Sequence, residues 1–329
     1  MMIFKLFPGE RALLSWKDLT FSSSSLFGGL SNAIGELYGG GELRKFIEAF
    51  SKNEINISSV FPMIRGETQD ILFLPRPILP PKLEGKEGGS SIESKKIKRI
   101  KWLSVNTFFE LGKSIVYDDS DKSYRFYYVF SNSNIFWNDL FYAQDVPAEF
   151  KREIPFRKVE VPHASIDRLD FSSNLFFTED IMVKNPLGFY FLCEALDVWR
   201  DKIKNAVSFL LDEGLGGERS KGKGIFEEVK VEEVDFLPKV KKVIGYIGLS
   251  LTYPSEEEVS KIYSFSLVKD DGFVYMGGGR SIKKSRVMML SEGSFYKGEV
   301  KGKLFEERSG NIVVFRNGKA FTVPVGDLS

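Results

Sequence analysis

At 329 residues, with 43% hydrophobic residues, 30 Phe and a single cysteine, the chain carries enough apolar surface for one large core or two ordinary ones and cannot form an internal disulfide. Its 46 Lys plus Arg stand against 45 Asp plus Glu, a net charge of +1, which excludes a uniformly basic nucleic-acid binder. No apolar run approaches the roughly 18 residues that span a bilayer, and MMIFKLF is too quickly polar for a signal peptide, so a cytoplasmic protein without a membrane partner is expected.

In chain order, MIFKLF predicts a short strand. The serines before Leu26, Leu30, Ile34 and Leu37 predict a helix with Ser24 or Ser25 as its cap. GELRKFIEAFSK predicts a second helix, and ISSVFPMI and DILFLPRPILPP read as strands ended by prolines. The Gly, Ser and Lys-rich segment 82–96 predicts a mobile loop. Residues 102–185 read as an insertion of hairpins with a short helix around Asn134 to Tyr142. Then come the strand LGFYFLCEAL, in which Cys193 reads as a buried hydrophobe, and a helix with Trp199, Ile203, Ala206, Val207 and Leu210 on one face. A glycine-rich segment links that helix to the strand GIFEEVKVEEV.

A second unit begins near Val243, where Ile247, Leu249, Leu251 and Tyr253 alternate as in a half-buried sheet. EEEVSK predicts a short helix. YSFSLVKDDGFVYMGG predicts a hairpin turning at Asp271 and Gly272, and NIVVFRNGKAFTVPV one turning at Asn317 and Gly318. The fold class is α+β: two units in tandem, each an antiparallel sheet backed by helices.

The chemistry-bearing stretches are few. Basic runs are segregated: KKIKRIK (95–101), RSKGK (219–223), KVKK (239–242) and RSIKKSR (280–286). DEGLGGERSKGKGIFEE (212–228) places Gly214, Gly216, Gly217, Gly222 and Gly224 around Arg219, Ser220, Lys221 and Lys223. Glycine removes the side chains that would block a phosphodiester, and consecutive amides in mixed-handed turns form an anion nest. The stretch departs from the Walker pattern, because Gly224 stands where Ser or Thr should hold magnesium. It reads either as a flexible connector or as a loop over a polyanion. His163, the one histidine, lies in HASIDRLD; it is a candidate general base, a structural residue or an RNA contact, with Asp167 and Arg168 able to pair. No metal-ligand spacing is present, and no cofactor is implied.

SLFGGLSNAIGELYG, then FPMI with FLPRPILP, then HASIDR, then DEGLGGERSKGKGIFE, and finally YSFSLVKDDGFVYMGGGRSIKKSRVMMLSEGSFYKGEVKGKL occur in an order that resembles the RAMP superfamily of CRISPR proteins. More narrowly, they resemble the fourth-subunit family of the type III-A (Csm) effector complex. The resemblance covers most of the chain. It implies two tandem ferredoxin-like (RRM-like) domains: 1–242, with a hairpin or thumb insertion at about 82–185, and 243–329. It implies a non-catalytic subunit that binds the repeat-derived 5′ handle of the CRISPR RNA (crRNA). Its neighbours would be the large Palm-domain subunit and the first backbone subunit, and target RNA would be met only indirectly. Carried over, Gly214 to Gly224 would cradle the handle with Arg219, Lys221 and Lys223 on phosphates. His163, Ile166, Asp167 and Arg168 would sit on the thumb, and Lys283, Lys284 and Arg286 would add RNA contacts. The alternatives are a RAMP endoribonuclease using His163 as base, and the equivalent type III-B (Cmr) subunit.

Overall fold

The first strand, β1 (Met2–Pro8), is buried on both faces, and in the computed structural model it lies inside the principal sheet with Phe4 stacked on Phe191 at 4.7 Å. The structure describes residues 1–83, 99–118, 126–130, 141–142, 155–166, 173–235, 237, 239–275, 281–309 and 312–328. After β2 (Leu13–Leu14) comes α1 (Ser23–Ser51), whose cap is Ser22, its hydroxyl accepting from the Ser25 amide, upstream of the expected Ser24 or Ser25. Ser23 and Ser24 are buried instead and bond Leu251 and Asp270 of the C-terminal unit. The two expected helices run together, interrupted at Gly39 (φ 82°, ψ 171°), and Leu37 beside that break is exposed rather than on the buried stripe.

Next come β3 (Ile55–Ile57), β4 (Phe61–Ile64), β5 (Ile71–Pro75) and β6 (Pro81–Leu83). The last of these corrects the loop expected from residue 82: Lys82 and Leu83 pair with Val129 and Phe130. Segment 102–185 is less separate than an insertion should be. Its β7 (Trp102–Ser104) extends the principal sheet, and α2 (Val105–Lys113), unforeseen, is capped by Ser104. Then follow β8 (Ile115–Tyr117), β9 (Phe126–Phe130) and β10 (Phe141–Tyr142). The helix expected around Asn134 to Tyr142 fails at its end, where Phe141 and Tyr142 pair in parallel with Trp102 and Leu103; 134–140 lie outside the described residues. A long hairpin of β11 (Phe156–Ile166) and β12 (Ser173–Val183) is tied at its base to β2.

The remaining elements of this unit match expectation: β13 (Leu187–Ala195), with Cys193 fully buried, α3 (Asp197–Glu213), with all five predicted apolar positions buried, and β14 (Phe226–Glu233). The principal sheet runs β10-β7-β5-β4-β13-β1-β14, with β3 also on β13. The two helices approach closely where Gly29 meets the Leu210 side chain.

The C-terminal unit contains β15 (Val240–Gly248), a 3₁₀ turn over Glu256–Lys261 with a Ser255/Glu258 capping box, and β16 (Ile262–Ser264). A ribbon follows from β17 (Leu267–Asp270), β18 (Phe273–Tyr275), β19 (Ser281–Lys283) and β20 (Val287–Leu290). Then come β21 (Phe295–Tyr296), β22 (Gly302–Ser309), β23 (Ile312–Lys319) and β24 (Thr322–Leu328). Its sheet, β16-β21-β15-β24, has strands in the same relative order as β4-β13-β1-β14: second, third, first, fourth.

Three expectations fail here. Asp271–Gly272 is a break within one continuing ribbon rather than a hairpin turn, because β17 pairs with β20 and β18 with β19. Asn317–Gly318 lies inside β23, where glycine is required by contact: a Cβ at Gly318 would stand 2.5 Å from that of Tyr253. The sheet is also not backed by helices of its own, since the described residues of this unit form only the 3₁₀ turn. Instead α2 covers β24, with Gly112 against Val325, and Ile247, Phe295, Val323 and Val325 join the hydrophobic core of the first unit.

Candidate nucleic-acid interface

The glycine segment leaves α3 at Gly214 (φ 93°) and turns through Leu215, whose carbonyl accepts the Trp16 indole N–H at 3.0 Å. Gly216 (φ 113°) lies against that indole, where a Cβ would come within 2.8 Å of Nε1. The loop closes on itself and on β2, as Leu215 N–H bonds Gly224 O and Gly224 N–H bonds Leu13 O, both at 2.8 Å. Between these ties Glu218 (φ 56°) and Gly222 (φ 77°) flank a 3₁₀ turn, Arg219–Lys221, an alternation of left- and right-handed backbone suited to an anion nest. Among the described residues the amides of Gly216, Gly217, Glu218 and Ser220 have no backbone acceptor.

The three cations fall into two kinds. Arg219 reaches Glu213 at 2.8 Å and Lys221 reaches Glu218 at 2.7 Å, both partly exposed pairs of the sort that contribute about 0–1 kcal/mol and exchange readily. Lys223, in contrast, is 3% exposed; its ammonium lies 2.6 Å from the fully buried Asp180 of β12 and also bonds Glu218. Burial draws the Lys223 ammonium down, but the two carboxylates more than offset this and leave it raised. Removing one partner of such a buried pair costs about 3–5 kcal/mol, so Lys223 is a buried tie between loop and hairpin rather than a surface cation.

The hairpin supplies the facing wall. His163 stacks on Phe176 at 5.2 Å, accepts at Nδ1 from the Lys221 ammonium at 3.2 Å, and therefore donates from Nε2 to Thr178 Oγ1 at 2.9 Å. Ile166 is 64% exposed toward the hairpin tip, with Leu175 and Phe177 also exposed; Asp167 and Arg168 lie outside the described residues. The second basic stretch divides similarly. Lys283 and Arg286 are exposed, while Lys284 is largely covered and lies 3.6 Å from Asp270, itself bonded to the fully buried Arg316.

Sequence reasoning missed Trp16, Asp180, Thr178 and Glu218, which carry no local signature because their roles are set by contacts far along the chain. It also missed Lys17: the Asp271 carboxyl is held low first by the Lys269 hydrogen bond, with Lys17 and Arg286 adding to it. Among the described residues no three His, Cys, Asp or Glu side chains converge as a metal site, and no helix is long and apolar enough to cross a membrane.

A helix-to-strand glycine loop set against an inserted hairpin is the arrangement of a RAMP protein, and the RAMP superfamily model matches residues 11–227. The model of the CRISPR Csm4 C-terminal domain matches residues 241–325. The chain belongs to the RAMP superfamily, and within it residues 241–325 form a Csm4-type C-terminal domain. The CRISPR system Cms protein Csm4 of Methanocaldococcus jannaschii is 27% identical over 315 residues, covering 86% of this chain and 80% of the relative. That of Thermococcus onnurineus is 27% identical over 291 residues, covering 85% and 83%. Among solved structures, a chain of the Csm3-Csm4 subcomplex of the type III-A interference complex superposes with TM-score 0.69 at 21% identity, covering 99% of this chain and 100% of the other. A chain of the Csm1-Csm4 cassette with cA4 gives 0.63 at 22%, covering 100% and 98%. At these identities the likeness is one of fold.

Proposed function

We propose that this chain is a non-catalytic, cytoplasmic RNA-binding subunit of a type III-A complex. It holds the 5′ handle of the crRNA in the corner between glycine loop and hairpin, and docks a Csm1-type Palm-domain subunit and a Csm3-type backbone subunit. In this reading the two sheets of matching strand order are tandem ferredoxin-like domains. The observation that carries the reading is the loop itself, a left-right-left backbone with four amides that have no backbone acceptor among the described residues, held by Trp16, Leu13 and Asp180 beneath two exchangeable cations. A single-stranded handle can also splay a base against Phe176, which shares the loop-facing side of the hairpin with His163. The engagement of both His163 nitrogens by Lys221 and Thr178 supports a structural role, because a general base needs a lone pair directed at substrate.

Replacing Arg219 and Lys221 with Ala is expected to weaken binding of handle RNA and to lower its salt slope by roughly 0.7 for each phosphate that is no longer neutralised. Unchanged affinity and slope would overturn the assignment. Metal-independent cleavage of repeat RNA, abolished by His163→Ala, would establish the endoribonuclease instead.

A further inference from the structure

We propose that a second cleft, between the two units and independent of the glycine loop, binds a nucleotide by stacking its base on tyrosine and holding its phosphate with two lysines. The cavity measures about 660 Å³, within the size range of small-ligand sites, and is lined by Tyr117, Phe126, Tyr263, Lys242 and Lys297, with Val243 and Ile244.

The aromatic wall is built across the two units. Tyr117, at the end of β8, is 52% exposed and its ring leans on Phe126 at 4.9 Å. Phe126 in turn meets Tyr263 at 4.8 Å and Phe295 at 5.1 Å. The Tyr263 hydroxyl accepts the Phe126 amide at 3.1 Å, so the ring of one unit is pinned to the backbone of the other. A base entering this cleft meets preset ring faces, and stacking on such faces tolerates any base.

Charge points to an anion. Each loop cation of the first interface has a carboxylate partner, whereas Lys242 and Lys297 are exposed and, among the described residues, have no carboxylate within ion-pairing distance. Asp327 stands opposite Lys242 across the β15–β24 ladder without pairing to it. That ladder shifts register on both sides of this point, between Val240 and Lys242 and again between Val243 and Gly245. Bulges of this kind re-aim side chains and recur beside binding sites. Uncompensated ammonium groups beside stacked rings are the pairing that phosphate-linked bases require.

The test uses the full chain with a 5-iodouridine-substituted RNA decamer and, separately, AMP. Photocross-linking to Tyr117 or Tyr263 is expected. Tyr117→Ala should weaken the affinity of the site by about 5- to 150-fold, the range for loss of one stacked base, and Tyr117→Phe should retain it. Lys242→Glu with Lys297→Glu, both on the surface, gives the same loss if Tyr117→Ala does not fold. Binding of AMP identifies free nucleotide as the source, and binding of the decamer alone identifies an RNA strand; either supports the site. Arg219→Ala with Lys221→Ala should leave the Tyr117 cross-link intact, which separates this site from the handle reading. Cross-links confined to other residues, or substitutions that weaken only association with a Csm1-type subunit, overturn it.

Discussion

Glu218 joins more partners than any other side chain at the loop: Lys221 and Lys223 bond its carboxylate, and His163 Nε2 lies 3.8 Å away. The hydrogen bond from Lys221, followed by that from Lys223, holds the carboxyl down at about 2 from its ordinary 4.5. A depressed acid contributes stability that is fully present above 4.5 and lost as pH falls toward 2. Glu218→Gln is therefore expected to be less stable than the wild type by a constant margin at neutral pH. Urea titrations across pH should show the margin closing between 4.5 and 2; a margin that persists there would mean that Glu218 acts by shape alone. Its backbone takes φ 56°, uncommon for a non-glycine residue.

At the scale of elements, the triple glycine 39–41 separates the two helical segments of α1 at a kink, as the sequence predicts. Gly39 alone takes a left-handed φ, while Gly28, inside the first segment, is helical with open space where a Cβ would stand. Gly39→Ala should accordingly cost at least about 1 kcal/mol, and Gly28→Ala should gain about 0.5–1 kcal/mol. Thermal melts of the two variants, moving in opposite directions, would check this; a stabilising Gly39→Ala would show that the break is dispensable. The break lets the second segment bring Phe46 and Phe50 onto Phe27 and Trp199, edge-on at 4.8 and 5.7 Å for the Phe50–Phe27 and Phe46–Trp199 pairs.

At the scale of the molecule, two sheets of matching strand order share one core. The C-terminal sheet keeps only a small cluster of its own around Leu290, Tyr296, Val300 and Ala320. Ser23, Ser24, Asn56 and Ser59 of the first unit bond Leu251, Asp270, Ala320 and Glu292 of the second. Calorimetry is expected to show one transition, with equal calorimetric and van't Hoff enthalpies, and a fragment of residues 241–329 is expected not to fold. Two separated transitions, or a folded fragment, would refute the shared core.

Continuous apolar runs located β1 and β13, which are buried on both faces, and periodicity located α1, α3 and β14, because burying alternate or every third to fourth residue leaves its mark wherever an element has one apolar face. The glycine loop was legible for a related reason, since left-handed backbone demands residues without Cβ. The pairing of strands was not. Asp271–Gly272 and Asn317–Gly318 carry hairpin signals, yet β17 pairs with the more distant β20, β23 pairs with β22 before it rather than β24 after it, and the glycines serve a break in the ribbon and a close approach. Nor could spacing separate Lys223 from Lys221, two residues apart in one basic run. Only the approach of Asp180, forty-three positions earlier on a hairpin, decides which cation is buried and which stays at the surface.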